Sequence, residues 1–314
     1  MKLDRFAKYC WAVLAYTVIV ILWGAFVRAT GSGAGCGSHW PTCNGEVIPR
    51  SASTETLIEF THRFTSGLLG ILALGLLIWA FRRFPAGHLA RKGAAWSMAF
   101  ILSEALIGAG IVKFEWVADN DSMARVITVA FHLVNTFLLL GVLTLTAWWA
   151  SGGTGLRWRG NRRVAGILAV TVALVLIVGA SGAVTALGDT LVLTSGLRPQ
   201  ESPVLQSLVT LRFIHPMLAL AMLPLILACG RICSADSPHP QTRTWTRLLM
   251  VTFHFQLLLG ITNVFLKAPV WIQMLHLLLA DALWVFLVLT AATSLSAQTS
   301  PARDVEGRAY ATGS

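Results

Sequence analysis

The 314-residue chain is 55% hydrophobic and only 12% charged, with a mean hydropathy of +0.69, whereas a water-soluble domain would carry about 25% charged residues. That balance argues against a soluble globular domain, and the lack of period-two alternation argues against an outer-membrane barrel. The net charge of +10 invites a nucleic-acid reading, but no nucleic-acid motif accompanies it and the charges follow a membrane pattern instead.

Apolar runs near twenty residues, the length that crosses a bilayer as a helix, fall at roughly 10–29, 61–81, 95–112, 125–149, 164–187, 211–232, 247–266 and 270–295. Backbone polar groups must be paired inside lipid, so each run reads as a helix. The fold class is therefore all-α integral membrane with eight transmembrane helices. The first run has the basic flank of a signal peptide (Lys2, Arg5, Lys8). Its apolar part is longer than a usual h-region and no small-x-small cleavage site follows, so it reads as an uncleaved helix.

Alternate loops carry Lys2, Arg5 and Lys8; Arg82, Arg83, Arg91 and Lys92; Arg157, Arg159, Arg162 and Arg163; Arg231, Arg243 and Arg247; and Arg303 and Arg308. The opposite loops hold only Arg50, Lys113, Arg198 and Lys267, with Arg28, Arg63, Arg125 and Arg212 at helix ends on that side. This is the positive-inside bias of a plasma (inner) membrane protein with both termini cytoplasmic. Anionic membrane lipid is the expected partner of the basic loops.

In the first outer loop Cys36 and Cys43 flank the hexapeptide GSHWPT. On an oxidising face they are expected to form a disulfide, which in the chain-entropy model contributes roughly 2.5 kcal/mol for so short a loop. Redox exchange is the functional alternative. Haem attachment is not expected, because no C-x-x-C-H occurs. Cys10, Cys229 and Cys233 fall at the cytoplasmic end and read as reduced packing residues.

The four helices up to about 150 and the four after 163 follow one plan. IEFTHRFTSGLLGILAL lies over LRFIHPMLALAMLPLIL, placing His62 over His215. SEALIGAGIV lies over FQLLLGITNV, placing Glu104 over Gln256 and Gly108 over Gly260. VAFHLVNTFLLL lies over QMLHLLLADALW, placing His132 over His276. A weaker match sets GAFVRATGSG over GASGAVTALGD. The chain thus divides into an N-terminal four-helix bundle (1–150), a glycine-rich basic cytoplasmic linker (151–163), and a C-terminal four-helix bundle with a tail (164–314). Four helices per half is an even number, so the two bundles share one orientation, related by a pseudo-twofold axis along the membrane normal.

His62, His132, His215 and His276 each lie near the outer start of the second or fourth helix of a half. A lone membrane histidine ordinarily bonds a neighbouring carbonyl. Two per half at matched depth instead suit axial ligation of haem iron across a bundle. Zinc is disfavoured, since no carboxylate or thiolate completes a tetrahedral set in both halves. His39, His88 and His239 fall in loops, and His254 has no repeat partner and reads as packing.

Three residues before the first histidine, the N-terminal half has Glu59 and the C-terminal half has Arg212, each on the histidine's helical face. A carboxylate can exchange protons, whereas an arginine stays charged and suits a propionate. This assigns reaction to the N-terminal half and a permanent cofactor to the C-terminal half. The plainer reading of Glu59 is a carboxylate favoured near a helix N-terminus. Glu104 lies mid-span, where a charge costs roughly 2.5–3.5 kcal/mol on insertion scales. Asp281 poses the same question, and neither receives a role.

With VRATGSGAGC leading into the first outer loop, the Cys36/Cys43 pair, IEFTHR and the four placed histidines, nearly the whole chain resembles the haem A synthase family. The resemblance implies two pseudo-twofold-related four-helix bundles and oxidation of the C8 methyl of haem O to a formyl group. It implies that the substrate haem O sits at His62 and His132 with catalytic Glu59 close by, and that the cofactor haem b sits at His215 and His276. It also implies haem O synthase upstream and a terminal oxidase as consumer. The expected chemistry is two successive hydroxylations, then loss of water from the gem-diol. Glu59 would take a proton or stabilise positive charge at the methyl carbon, and Arg28, Arg63 and Arg212 would contact haem propionates. The chain departs from some members in lacking a cysteine pair in 188–209, and in carrying Glu104 where a glutamine is expected. The alternatives are a bis-histidine cytochrome for quinol-linked electron transfer and a non-catalytic haem carrier. The electron acceptor, for which a quinone is a candidate, the oxygen source and homo-oligomerisation stay open.

Overall fold

The computed structural model describes residues 3–50, 52–237 and 239–296. Among them are nine α-helices: α1 (Arg5–Ala29), α2 (Thr54–Arg83), α3 (Leu89–Lys113), α4 (Met123–Ala150), α5 (Arg162–Asp189), α6 (Pro203–Ala221), α7 (Leu223–Asp236), α8 (Thr242–Phe265) and α9 (Val270–Ser294). They make eight apolar spans, because α6 and α7 together form the single span Pro203–Asp236. The protein is an all-helical, multi-pass membrane protein.

Several helices begin earlier than their apolar runs, because capping side chains rather than hydropathy set the ends. Asp4, Ser53, Ser122, Asn161 and Ser202 each accept the N–H of the residue three positions on, which satisfies one of the unpaired donors of a helix start. Helix α2 thus starts at Thr54 and carries Glu59 and His62 within its first three turns. The sixth span is broken at Met222, between Pro216 inside α6 and Pro224 at the start of α7. Each proline withholds an N–H from the i→i−4 ladder and crowds the preceding turn. Helix α5 ends in a wider π turn over Thr190–Thr194.

Helix α1 packs on α2 and α4, α2 on α3, and α3 on α4; in the second half α5 packs on α6, α7 and α9, α7 on α8, and α8 on α9. Helices α4 and α9 join the halves, with α4 also on α5 and α1 also on α9. At this seam Trp284 Nε1 donates to the Phe137 carbonyl at 2.6 Å and the two rings stack at 5.2 Å. Gly141 makes room for the indole, since a Cβ there would lie 3.3 Å from Trp284 Nε1. Phe137, Leu140 and Leu143 share one buried cluster with Leu168, Leu283 and Leu287, so the core runs unbroken through both halves. The 151–163 segment is tied down: Arg157 N–H donates to Leu295 O at 2.7 Å.

The internal repeat extends to backbone detail. After α3, Glu115 takes a left-handed φ of 55° and Trp116 N–H reaches back to Ile111 O. After α8, at the repeat offset of Glu104 and Gln256, Lys267 takes φ 60° and Ala268 N–H reaches back to Asn263 O. A non-glycine residue at positive φ is uncommon, so its recurrence at matched positions is a feature of the repeat rather than of composition.

Candidate functional site

The four repeat-matched histidines sit on α2, α4, α6 and α9, and three of them lie edge-on to a glycine of a neighbouring helix. A Cβ at Gly24 would be 2.8 Å from His62 Cε1, at Gly182 2.9 Å from His215 Cε1, and at Gly260 3.1 Å from His276 Cε1. Real Cβ atoms do not sit that close to a packed ring, so these glycines let an imidazole lie against a helix backbone. Gly108, matched to Gly260 by sequence, has open space instead. The weak sequence match set Gly24 over Gly179, but the contacts pair Gly24 with Gly182, three residues further on. Gly179 faces Phe137 and Leu133 at the seam between the halves, so its small size answers to a different neighbour.

Each ring is oriented differently. Ser181 Oγ lies 3.0 Å from His215 Nδ1, leaving Nε2 as the free ligating atom. The Glu104 carboxylate lies in ion-pair contact with His132 Nδ1, without hydrogen-bond alignment, so Nε2 is the nitrogen turned away from the carboxylate. Gln256 Nε2 lies 3.2 Å from His276 Nε2, and His276 Nδ1 is buried without a partner, as is His62 Nδ1. Among the described residues no three His, Cys, Asp or Glu side chains converge, so a tetrahedral metal has no donor set there. A planar group held from opposite faces needs two imidazoles only. Buried ring nitrogens without partners and imidazoles seated on glycine fit that requirement.

Glu59 is 4% exposed and bonded through both oxygens. Oε2 accepts the Cys36 N–H at 2.8 Å, and Oε1 accepts from Arg63 Nε at 3.1 Å and Nη2 at 2.5 Å. Arg63 Nη1 in turn donates to the carbonyls of His39 and Thr42. Glu59 and Arg63 together therefore clamp the loop containing Cys36 and Cys43 onto α2. In the second half Arg212 Nε pairs with Asp189 Oδ1 at 2.5 Å. Arg28 crosses between the halves, donating to Ala186 O at 2.6 Å, Thr190 Oγ1 at 2.7 Å and Gln273 Oε1 at 3.1 Å. Of the three arginines expected to meet propionates, Arg28 and Arg63 are thus committed within the protein, while Arg212 is bonded through Nε alone.

Sequence reasoning assigned no part to Asp189, Asn135 or Thr136. It left Glu104 without a role, although the Glu104/Gln256 difference was visible. Asn135 Nδ2 and Thr136 Oγ1 reach Glu104 Oε1 at 2.8 and 2.9 Å, so the carboxylate is solvated by side chains. Asp281 is fully buried with neither oxygen partnered among the described residues. His254 is exposed, its Nδ1 2.7 Å from Met250 O of its own helix, rather than packed in the core. His88 caps α3, and burial lowers the basicity of loop residue His239.

Cys36 and Cys43 lie at disulfide distance, with Cα atoms 4.4 Å apart. In denatured membranes alkylated without reductant, both should stay unlabelled and become reactive only after reduction. Cys229 and Cys233, buried with Sγ atoms 3.9 Å apart, should label equally with and without reductant. Labelling of Cys36 before reduction contradicts the pairing.

Residues 7–288 match the model of the cytochrome oxidase assembly protein family. The chain belongs to that family. It is 50% identical over 296 residues to a protein of Thermus thermophilus called protoheme IX farnesyltransferase, covering 93% of this chain and 49% of that protein. It is also 46% identical over 97 residues to a heme A synthase of Halalkalibacterium halodurans, covering 31% of this chain and 33% of the relative. A heme A synthase of Bacillus cereus is 41% identical over 111 residues, 35% of this chain and 36% of that protein. The chain spans about half the length of the Thermus relative it matches. The resemblance to the haem A synthases that the motifs carry is thereby borne out at family level.

Proposed function

We propose that this cytochrome oxidase assembly family member is a haem A synthase. It would oxidise the C8 methyl of haem O to a formyl group by two hydroxylations and loss of water. The observation that carries the reading is the duplicated pair of half-buried histidines, three of them seated on glycine, in a chain similar to heme A synthases.

His62 and His132 of the N-terminal bundle (1–150) would hold the substrate haem O. His215 and His276 of the C-terminal bundle (164–314) would hold haem b, which when bound supplies one-electron transfer. The 151–163 segment links the two, and the matched turns and glycines support a pseudo-twofold relation between them. Ser181 on His215 Nδ1 fixes that ring's tautomer and direction, as partners of ligating histidines commonly do. The Nη groups of Arg212 remain available to a propionate. Glu59 already accepts from Cys36 and Arg63, which favours a fixed negative charge opposite positive charge developing at the methyl carbon over a free proton acceptor.

The loop charge asymmetry supports a plasma membrane protein with both termini cytoplasmic and the histidines near the outer face. The Thermus relative is named a protoheme IX farnesyltransferase and this chain matches half of it. We take its other half as a pointer to haem O synthase as the neighbouring enzyme.

Pigment bound to the purified protein tests the reading. Protein from cells making haem O should yield haem b together with haem O or its oxidised forms. Haem b alone is the result expected of a bis-histidine cytochrome, and unaltered haem O without haem b that of a carrier.

A further inference from the structure

The two halves differ at the side chain that touches the fourth-span histidine. In the first half Glu104 of α3 sets its carboxylate against His132 Nδ1, and in the second Gln256 of α8 sets a neutral amide against the other ring nitrogen of His276, Nε2, leaving Nδ1 without a partner. The difference extends to the surroundings. Asn135 and Thr136 donate to Glu104 Oε1, and Ser103 Oγ orients Asn135 by donating to its Oδ1 at 2.9 Å. At the matching positions α9 has Leu279 and Ala280, which donate nothing. Hydrogen-bond donors lower the cost of a carboxylate in an apolar span, and the positions matched to Asn135 and Thr136 supply none. The Glu104 carboxylate is thus a built feature of one half rather than a chance substitution.

We propose that Glu104 is a positioning residue that makes His132 a stronger electron donor to iron than His276. The N-terminal iron would then have the lower reduction potential of the two, with its oxidised form stabilised. The inference rests on the haem reading above. A carboxylate accepting the Nδ1–H bond fixes the ring with Nε2 toward the metal and raises the basicity of that nitrogen. Hydrogen bonding around the ligand is one of the levers a protein has on haem potential. His276 has no carboxylate at Nδ1, which is buried without a partner, so its ring lacks that polarisation.

The test is an anaerobic potentiometric titration of the full chain in detergent, loaded with haem b and haem O. Two transitions are expected, and His132→Ala should remove the lower one. Glu104→Gln should move that lower midpoint upward, leave the other in place, and weaken the N-terminal haem about 10–100-fold, the usual effect of losing a ligand's hydrogen-bond partner. If His132→Ala leaves both transitions, the haem reading itself fails. If it removes one while Glu104→Gln changes neither midpoint, or shifts both alike, this proposal is overturned. Should Glu104→Gln lose the lower transition, its return in Glu104→Asp supports the role of the charge. Loss in both variants makes Glu104 a folding residue only and overturns the proposal.

Discussion

On the proposed function, Glu59→Gln is expected to leave haem O, or its hydroxylated intermediate, in place of haem A. The substitution keeps size and an oxygen able to accept the Cys36 N–H, so the loop should stay seated on α2. It removes the negative charge that faces Arg63 and that the proposed chemistry uses. Removing one fixed group that stabilises developing charge typically costs about 10²–10³-fold, and a loss of that size in product formation is expected. The haem b spectrum should survive, because Glu59 belongs to the other bundle, and haem O should still bind between His62 and His132. Had the carboxylate only favoured its helix N-terminus, the variant would lose about 0.3–1 kcal/mol of stability and make near-normal haem A. Had it only clamped the loop, thiol labelling of Cys36 and Cys43 would change along with product. Near-normal haem A from Glu59→Gln defeats the catalytic role and leaves the histidine assignments standing.

On the proposed reading the purified protein would show a low-spin, six-coordinate haem b spectrum, and His215→Ala or His276→Ala should abolish it. Loss of either histidine would leave the haem weakly held. Gly182→Val offers the same readout without replacing a ligand. Its Cβ would fall 2.9 Å from His215 Cε1, so the ring must leave its seat and the spectrum should weaken. An unchanged spectrum in both histidine variants removes haem b from the C-terminal half.

The eight spans were legible because each presents about twenty apolar residues, and a bilayer allows few other readings of such a run. Their ends were not, because Ser53 or Asn161 as a cap carries almost no hydropathy signal. The break at Met222 could have been anticipated from Pro216 and Pro224, but both sit in an otherwise continuous apolar run. The histidines emerged because duplication placed them in register. Their glycine seats emerged only in part: which glycine faces which ring depends on helix rotation, and the weak match between the first and fifth spans was misplaced by three residues. Glu104 against His132 joins two helices across a turn, and Asp189 against Arg212 joins the end of α5 to α6. Spacing along one helix shows neither contact. For Glu104 the signal was its difference from Gln256; for Asp189 the sequence offered none.

The central claim is that this chain turns haem O into haem A, and the most direct measurement is mass analysis of total haem. Membranes are taken from cells that lack haem A, express haem O synthase, and carry or omit this chain. The account predicts haem A, with its formyl group in place of the C8 methyl, only when the chain is present, and its loss in His62→Ala and His132→Ala. Membranes that contain the folded chain yet hold only haem b and unaltered haem O would contradict it.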